Sequence, residues 1–453
     1  MKKWAFFLIP VMLTIVAFVI IGCSIDAVPD ISSEPPLVET SESPDNSPDV
    51  IPEHIIMGGE QISTAETELH ILVDWEPVRA ESGILIYTTE EAADAEMAKL
   101  KYMTNLQTLS ISYYRYPEFN SSISDISVLA GLTNLTSLRL LGHSISDISV
   151  LAGLTGLTTL ELGCNSISDI SALAGLINLT KLDLEWNEIS DINALSGLTK
   201  LSDLNLGRNR ISDISALSEL KNLTVLRFYD IDNEISDASV FINTIAKLVN
   251  LDVLYIGQSQ VSDLSPLSEL TKLRSLSLSG NNIRDLTPLS VLTNLTEFSL
   301  AFSQISDISP LAGLSNLTVL RLENSQVSDI APLAGLSNLA DLSLGDNQIS
   351  NLKPLFELTK LKNLSLNSNQ ISDITPLAGL SNLIYLCLDS NQISNIAPLA
   401  GLSNLSTLTL SYNQISDITP LAGLTNLIAL GLSGNPITDW SPVEYVNSVY
   451  GKP

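Results

Sequence analysis

The residues of this sequence best suited to chemistry are aspartates that recur at a regular spacing. They are Asp125, Asp147, Asp169, Asp191, Asp213, Asp237, Asp263, Asp285, Asp307, Asp329, Asp373, Asp417 and Asp439. A ladder of carboxylates could bind Ca²⁺, but a calcium site gathers about six to eight oxygen ligands, usually from one compact loop. An aspartate that accepts a hydrogen bond from the backbone of its own turn explains one carboxylate per repeat more simply. We therefore predict structural turns here and no metal site.

The other reactive side chains are few and widely separated. The three histidines, His54, His70 and His143, offer little for imidazole metal ligation or base catalysis. Paired carboxylates such as Asp183 and Glu185 are expected on an open, wet surface, where no burial would separate their pKa values. The sequence has no Gly-rich phosphate loop, HExxH, nucleophile elbow or CxxC motif. It therefore predicts no catalytic residue and no cofactor, and a protein that is not an enzyme.

The composition excludes further classes of protein. The 453 residues are 45% hydrophobic and 5% aromatic, with a formal net charge of −28. A chain this apolar is not globally disordered, and one this acidic is a poor candidate for wrapping nucleic acid, whose phosphates require Lys and Arg. Three cysteines rule out a disulfide scaffold, and Cys164 and Cys387 lie too many repeats apart to pair. A repeat array fits these numbers, because it can grow without enlarging a single core.

A repeated frame, L-x-x-L-x-L-x-x-N-x-I, must position these side chains. Its first leucine lies at Leu106, Leu135, Leu157, Leu179, Leu201, Leu223, Leu251, Leu273, Leu295, Leu317, Leu339, Leu361, Leu383, Leu405 and Leu427. The step is 22 residues, except for 29 after Leu106 and 28 after Leu223. A decayed earlier copy is expected at Leu69 and Ile71. The frame is that of the leucine-rich repeat.

Each repeat predicts a strand and a short return. The L-x-L segment alternates, so its leucines point inward and the residues between them face out. In the return, Ser309 lies where a helix N-cap would, Pro310 takes the first helical position, and Gly313 closes a turn too short for an α-helix. Stacked repeats bury their leucines in one aliphatic core. The predicted fold class is an α/β repeat, a curved leucine-rich-repeat solenoid with a parallel β-sheet on the concave face and 3₁₀ or single-turn helices on the convex face.

An asparagine column lies at the corner after each strand. Its members are Asn165, Asn187, Asn209, Asn281, Asn347, Asn369, Asn391, Asn413 and Asn435. An amide at a buried corner can hydrogen-bond the backbone of neighbouring repeats, so we predict a structural role for the column. His143, Ser259, Ser303 and Ser325 replace Asn in it, and looser corners are expected there.

The N-terminus carries a targeting signal. Two lysines precede an uncharged apolar run from Trp4 to Ile21, which is typical of a secretory signal. The run is also just long enough to span a bilayer, so an uncleaved anchor is the alternative. The segment before Cys23 resembles a bacterial lipoprotein lipobox, which implies a signal peptide over residues 1–22 and lipid attachment at Cys23. Residues 23–52, rich in Pro, Ser, Asp and Glu, predict a disordered acidic tether. We expect export and a lipid anchor on the outer side of the bacterial cell membrane.

The repeat unit, ISDI-x-PLAGL-x-NL-x-x-L-x-L-x-x-N-x, resembles that of bacterial internalin-type leucine-rich repeat proteins from about residue 100 to the end. This resemblance implies a concave sheet that binds a protein partner, in some members a host receptor. The stretch from Asn435 to Val446 resembles the tail that covers the last repeat in such arrays. We expect an N-terminal cap with a degenerate repeat at 53–105, the repeat array at 106–434 and a C-terminal cap at 435–453.

The outward strand positions differ between the two halves of the array. The C-terminal half offers mostly Ser, Thr, Asn and Gly, with Tyr385 and Tyr412 as exceptions. The N-terminal half offers charged and aromatic residues, and exposed Trp, Tyr and Arg typically dominate interface energies. We predict that a ligand contacts the repeats from Leu135 to Leu273, through Arg139, Glu161, Asp183, Glu185, Trp186, Arg208, Arg227, Tyr229 and Tyr255. The alternative is that these side chains only decorate a solvated surface.

Two long repeats interrupt the period. The first inserts an aromatic group, Tyr113, Tyr114, Tyr116 and Phe119. Insertions in solenoids often lie near the binding face, so this group is a second candidate for partner contact, and a lid over the N-terminal edge is the equal alternative. The second long repeat inserts an apolar stretch from Val240 to Leu248, for which we predict a helical turn on the convex side.

Two functions are consistent with these features. The first is a lipid-anchored surface protein, of adhesin or receptor type, that recognises a protein or glycoconjugate. The second is an envelope-organising protein whose partner belongs to its own cell surface. A glycan-degrading enzyme would need reactive residues that this sequence does not offer. A monomer is expected, with no nucleic-acid partner and with membrane contact only through the lipid. The acidity lies mainly in the tether and the turns, so it does not by itself imply a cationic partner.

Overall fold

A computed structural model of the chain describes residues 52–57, 60–73, 84–86, 97–113, 123–229, 233, 235 and 237–452. Cys23 and the predicted signal peptide at 1–22 lie outside the described residues. So do Tyr114, Tyr116 and Phe119 of the first insertion.

Short strands and short helical returns alternate along the chain. The strands are β1 His54–Met57, β2 Glu60–Ser63, β3 Glu68–Val73, β4 Ile84–Ile86, β5 Thr108–Tyr113, β6 Ser137–Leu141, β7 Thr159–Glu161, β8 Lys181–Asp183, β9 Asp203–Asn205, β10 Val225–Phe228, β11 Val253–Ile256, β12 Ser275–Ser277, β13 Glu297–Ser299, β14 Val319–Arg321, β15 Asp341–Ser343, β16 Asn363–Ser365, β17 Tyr385–Cys387, β18 Thr407–Thr409, β19 Ala429–Gly431 and β20 Ser448–Tyr450. The 3₁₀ helices are Ala98–Tyr102, Ser127–Gly131, Ser149–Gly153, Ser171–Leu173, Asn193–Leu195, Ser215–Glu219, Ser265–Glu269, Thr287–Val291, Ser309–Gly313, Ala331–Gly335, Lys353–Leu355, Thr375–Leu377, Ala397–Leu399, Thr419–Leu421 and Ser441–Val443. The α-helix α1 spans Ala238–Ala246.

All strands but β1 and β2 join one parallel sheet. β4 pairs with β3, β3 pairs with β5, and from β5 to β20 each strand pairs with the next one along the chain. β1 and β2 form a separate antiparallel hairpin. In β3, Leu69 lies opposite Leu109 of β5 and Ile71 opposite Ile111, as expected for a decayed repeat. The sheet is open, and the predicted leucine-rich-repeat solenoid is confirmed.

The core is a continuous stack of aliphatic side chains. Most repeats contribute two inward leucines from the strand segment, such as Leu182 and Leu184, and these are almost completely buried. Phe228 of the second long repeat packs against Phe241 of α1 with ring centroids 5.1 Å apart, and Phe298 is buried in a regular repeat. Asp237 caps α1 by accepting hydrogen bonds from the backbone N–H groups of Ser239 and Val240. The helix confirms the predicted helical turn in the second long repeat.

The turn aspartates bond the backbone of their own turns, as predicted. In each of them Oδ1 accepts a hydrogen bond, 2.8–2.9 Å long, from the backbone N–H two residues later. The bond from the Ser309 N–H holds the pKa of the Asp307 carboxyl below its usual range. The prediction that Ser309 is an N-cap is wrong. Ile308 precedes the 3₁₀ helix, which begins at Ser309, and the capping carboxylate belongs to Asp307.

The asparagine corners join neighbouring repeats, which confirms their structural role. Asn187 is typical: its Oδ1 accepts from the Ile167 N–H at 3.0 Å, and its Nδ2 donates to the carbonyl oxygens of Leu162 and Leu184 at 3.0 and 3.1 Å. At the substituted corners, His143 is buried with Nε2 3.3 Å from the Ile111 carbonyl oxygen. Ser303 and Ser325 are replacements in adjacent repeats. Their hydroxyls lie 2.9 Å apart.

The last strand ends the sheet with a covering segment. Val443 and Val446 are buried, and the Tyr445 hydroxyl donates to the carbonyl oxygens of Leu421 and Leu424 at 2.6 and 3.0 Å. This hydroxyl ties the covering segment to the turn of the last repeat. In the part of the chain that the structure describes, no helix is both long and apolar enough to cross a lipid bilayer.

Candidate binding surface

The residues predicted to contact a partner lie side by side on neighbouring strands. The parallel register places Arg139, Glu161, Asp183, Asn205, Arg227 and Tyr255 in one row across β6 to β11. Glu185 and Tyr229 lie two positions further along their repeats, and Trp186 and Arg208 lie three further. We call the nine predicted contact residues in these repeats the central patch. The structure brings all of them together on one face of a rigid sheet.

Glu161 is covered by its neighbours rather than open to a partner. Arg139 donates to its Oε2 at 2.8 Å, and Lys181 donates to its Oε1. Only 10% of the Glu161 side chain is exposed, whereas the Arg139 and Lys181 side chains are 47% and 44% exposed. The prediction that Glu161 itself presents its charge outward is therefore corrected. The two cations above it form the accessible surface, and Lys181 was not among the predicted contacts.

Arg227 and Tyr255 are each held in place by a side chain on a neighbouring strand. Arg227 donates to Asp203 at 2.7 Å, with both side chains about one-third exposed (32% and 28%). The Tyr255 hydroxyl lies 3.2 Å from the Ser275 hydroxyl on the next strand. Such cross-strand partners limit the rotamers of the two residues, so a ligand would meet surfaces that are already ordered. Asp203 and Ser275 are positioning residues, and Ser275 is one that the sequence alone did not single out.

Trp186 and Arg208 form a stacked pair. The guanidinium carbon lies 4.5 Å from the centroid of the indole ring, a cation–π geometry. Both residues have left-handed backbone, with φ of 55° and 54°. The same conformation recurs at the equivalent residue of other repeats, where the chain leaves the strand. The backbone N–H groups of Trp186 and Arg208 donate to the carbonyl oxygens of Gly207 and Tyr229, so the fold itself fixes this conformation. Trp186 remains 40% exposed.

Tyr229 reaches across a glycine to Glu185. A Cβ atom at Gly207 would lie 3.2 Å from two ring carbons of Tyr229, so the ring rests on the bare backbone of the intervening repeat. Burial, followed by the charge of Glu185 and the hydrogen bond to it, raises the pKa of Tyr229. The Tyr229 side chain therefore lies close to a carboxylate two repeats away. This contact explains why a glycine stands at position 207.

Asp183 is half-buried. The prediction that it lies on an open, wet surface, where burial would not shift its pKa, is therefore wrong. Burial raises the pKa of the Asp183 carboxyl, while a hydrogen bond of 2.9 Å from the Glu185 N–H acts in the opposite direction. Asn205 donates through Nδ2 to Glu185 Oε2 at 3.0 Å. The adjacent thiol of Cys164 has a pKa raised to about 11 by burial and then by the charges of Glu185 and Asp183. The centre of the patch is thus a desolvated acidic position.

Nothing in this arrangement forms a hydrolytic or metal site. The carboxylates are bonded to an amide, a phenol and backbone N–H groups, which position them without serving as a nucleophile–base pair. Among the described residues, no group of three or more His, Cys, Asp and Glu side chains is placed to hold a metal ion. What the patch offers is a rigid surface with aromatic, cationic and acidic positions in a defined order.

The C-terminal strands present a plainer surface, with notable exceptions. Tyr385 and Tyr412 are exposed, as predicted, and Tyr412 is the more open at 66%. Phe302, which the sequence analysis missed, is 52% exposed. It occupies the same left-handed position as Trp186 and Tyr412, so its place in the repeat could have revealed it. In the first insertion, Tyr113 ends β5, and the other three aromatic residues lie outside the described part of the chain.

Comparison with known families identifies the repeat. A family model described as "Leucine-rich repeat region" matches residues 87–332. A second, "Leucine Rich repeats (2 copies)", matches 315–357, 337–379, 359–401, 381–423 and 403–445. Among curated proteins, none matches this sequence.

Solved structures share the fold. An internalin of Listeria monocytogenes is 40% identical, with a TM-score of 0.61, over 66% of this chain and 87% of that one. A leucine-rich repeat protein of Leptospira interrogans is 23% identical, with a TM-score of 0.64, over 78% of this chain and 91% of that one. The ectodomain of a plant membrane receptor kinase from Arabidopsis thaliana, solved in complex with Casparian strip integrity factor 2, is 23% identical with a TM-score of 0.54. The match covers 77% of this chain and 47% of the plant ectodomain. At 23% identity the likeness shows a shared fold.

Proposed function

The chain belongs to the leucine-rich repeat family as an internalin-like member, and from this premise we propose that it is a cell-surface binding protein of adhesin or receptor type. Its ligand, a protein or glycoconjugate, binds the sheet between Leu135 and Leu273. The observation that carries the proposal is the central patch, where an exposed Trp186–Arg208 stack lies beside ordered charged residues. Aromatic and arginine side chains on a rigid support are the residues that dominate interface energies.

The order already present in the patch supports a binding role. Arg139, Arg227 and Tyr229 each have a partner that restricts their rotamers, so little side-chain entropy is lost when a ligand covers them. Gly207 admits the Tyr229 ring, which adds ordered aromatic surface to the patch. Strands β15 to β18, which are rich in Ser and Thr, present a plainer surface in the same protein.

Photo-crosslinking tests the location of the ligand. A photoreactive phenylalanine analogue at Tyr255, at the edge of the patch, should capture a surface protein or glycoconjugate from intact cells. The same analogue at Tyr412, which is equally aromatic and more exposed, is the matched control and should capture nothing in common with it. Trp186→Ala combined with the Tyr255 probe should abolish capture. Capture that survives Trp186→Ala, or that is identical from both positions, would place the ligand elsewhere.

The same experiment separates the two candidate roles. Capture from host or neighbouring-cell surfaces supports an adhesin or receptor. Capture that occurs only from the protein's own cells supports the alternative, an envelope-organising protein. We prefer the first role because a solved structure that is 40% identical to this chain is an internalin.

We further propose that the protein is exported and held at the membrane by lipid on Cys23, and that it acts as a monomer. Two or three acyl chains anchor a protein far more firmly than one. Cys23→Ala should move the protein from the membrane fraction to the medium or leave an unprocessed precursor, as seen in fractionated cells. Unchanged membrane association of a Cys23→Ala protein of processed mass would overturn lipid anchoring and leave the binding proposal intact.

A further inference from the structure

One edge of the array, where each repeat enters its strand, carries a hydroxyl in many repeats. The hydroxyl donates to a backbone carbonyl of the preceding repeat at 3.0–3.2 Å in Thr136, Thr158, Thr180, Ser202, Thr224, Thr296, Thr318 and Ser406. Two late repeats have isoleucine at this position, Ile384 and Ile428, which are 44% and 67% exposed. Each isoleucine gives up that hydrogen bond and exposes apolar surface, so the repeat fold does not require it.

A surface cavity lies at these isoleucines. Its volume is about 410 Å³, and it is lined by Lys362, Asn382, Ile384, Asn404, Ser406 and Asn426. The Ser406 N–H donates to the Ile384 carbonyl oxygen at 2.9 Å, and the Ile428 N–H donates to the Ser406 carbonyl oxygen at 2.8 Å. The two isoleucines therefore stand on either side of a smaller serine, separated by two strand spacings of about 4.8 Å each. We call the lining of the cavity together with Ile428 the flank groove.

Three amides give the flank groove hydrogen-bond acceptors. Asn382, Asn404 and Asn426 each donate Nδ2 to a backbone carbonyl of the preceding repeat at 2.8 Å, which turns Oδ1 away from that repeat. In three other repeats the equivalent Oδ1 accepts from a lysine ammonium at 2.6–2.7 Å, in the pairs Asn178–Lys200, Asn250–Lys272 and Asn338–Lys360. The amides of the groove have no such partner among the residues that the structure describes. Their oxygens can therefore accept from a ligand.

The charge of the flank groove selects the kind of ligand. Lys362 is exposed and forms no ion pair with any described residue, and the rest of the groove is neutral. A cationic ligand would meet Lys362 directly. A hydrocarbon chain would cover the isoleucines and leave the amide oxygens unpaired. An acidic peptide with an aliphatic side chain matches all three features, because its backbone also supplies N–H donors.

We infer that the flank groove binds a peptide segment of a partner protein. An aliphatic side chain of the segment lies between Ile384 and Ile428, its backbone N–H groups donate to the groove amides, and an aspartate or glutamate pairs with Lys362. Apolar contact supplies affinity, and the pair with Lys362 fixes the direction in which the segment lies. This surface is separate from the central patch and does not rest on the ligand proposed there.

A random decapeptide library displayed on phage tests this inference. Peptides are kept if they bind the full chain but do not bind the variant that carries both Ile384→Thr and Ile428→Thr. Threonine restores the hydroxyl that other repeats have at this position, so the variant should fold as the wild type does. The retained peptides should share an aliphatic residue with an aspartate or glutamate close to it.

Fluorescence anisotropy of one retained peptide then measures the contact with Lys362. Lys362→Gln should weaken binding about tenfold by removing the counter-charge, and so should a peptide in which the acidic residue is replaced by its amide. The two changes together should cost little more than either alone, since both remove the same ion pair. Lys353→Gln removes an exposed lysine outside the groove, is the matched control, and should bind as the wild type does.

Three results would overturn the inference. They are a selection in which no peptide distinguishes the wild type from the double variant, retained peptides that lack an acidic residue, and fully additive losses from Lys362→Gln and the amide peptide. Dodecanoate that binds the groove where no peptide does would also overturn it and assign the groove to a lipid.

The outcome is separable from that of the proposed function. The Ile384→Thr and Ile428→Thr variant should leave capture from Tyr255 unchanged. If Tyr255 captures no ligand, the proposed function falls and the flank groove is still judged by peptide selection. If peptide selection fails while Tyr255 captures a ligand, only the flank groove falls.

Discussion

Strands β6 to β11 and strands β15 to β19 are built on the same backbone but present different surfaces. In both regions the inward leucines are buried and the corner asparagines make equivalent bonds, from Asn187 to the Leu162 carbonyl at 3.0 Å and from Asn413 to the Leu388 carbonyl at 2.9 Å. Only the outward positions differ, as charged and aromatic residues in one region and mostly Ser, Thr and Asn in the other. Inward and corner residues therefore determine the backbone, and outward residues are free to specialise.

The largest expected effect tests whether the two regions share one core. Leu182→Ala and Leu408→Ala each empty a fully buried site in the middle of a strand. Each should lower the free energy of unfolding by about 3 kcal/mol, through lost apolar burial and the cavity left behind. Chemical denaturation followed by circular dichroism gives both values. A difference of more than about 1 kcal/mol between them would mean that the regions differ in packing as well as in surface.

A smaller effect on stability, which depends on pH, should distinguish the corner at His143 from the corners that carry asparagine. Burial lowers the pKa of His143 to about 4. Because its folded pKa lies below the unfolded value near 6.5, His143 contributes full stability above pH 6.5, and this contribution is lost as the pH falls toward 4. At pH 5 the loss should reach about 2 kcal/mol, before most carboxylates titrate.

The matched variant for this prediction is His143→Asn, which installs the usual corner residue. It should remove most of the stability difference between pH 7 and pH 5 that the wild type shows in denaturation at the two values. Asn413 has no titratable group, so Asn413→His should introduce the same loss in the C-terminal region. A wild type as stable at pH 5 as at pH 7 would show that His143 is not desolvated.

Partner binding should separate the two surfaces. Trp186→Ala is expected to weaken binding of the captured ligand about tenfold or more, because it removes an exposed aromatic residue and the support of Arg208. Tyr412→Ala removes a residue that is more exposed and occupies the equivalent left-handed position, yet it should leave the affinity unchanged. Affinities from biolayer interferometry on intact protein compare them directly. Equal losses would show that the ligand spans both halves.

The register of the central patch could be predicted from the sequence, but its contacts could not. Arg139, Glu161 and Asp183 are 22 residues apart, so a regular sheet must set them side by side. The spacing does not reveal that two cations close over Glu161, because that depends on side-chain rotamers. Nor does it reveal that Tyr229 lies across Gly207 and helps to desolvate the centre, which depends on packing between repeats two apart.

The smallest expected effect compares the two regions through their cysteines. Burial and then the charges of Glu185 and Asp183 raise the pKa of Cys164 to about 11. The pKa of Cys387, which lies beside Asp389, is raised mainly by burial. Glu185→Gln removes one negative charge from Cys164 and should lower its pKa, which increases the thiolate fraction at pH 8.5. Alkylation of Cys164 by iodoacetamide should then be about threefold faster, since the thiolate is the reactive form. Peptide mass spectrometry measures both cysteines in one sample, so Cys387 is the internal control and should react at its wild-type rate.

A second variant tests the same charges in the opposite direction. Because Arg208 lowers the pKa of Cys164, Arg208→Gln should slow the alkylation of Cys164. If Glu185→Gln accelerated both thiols equally, general loosening of the sheet would be the cause, and the acidic centre would not be the local feature that separates the N-terminal surface from the C-terminal one.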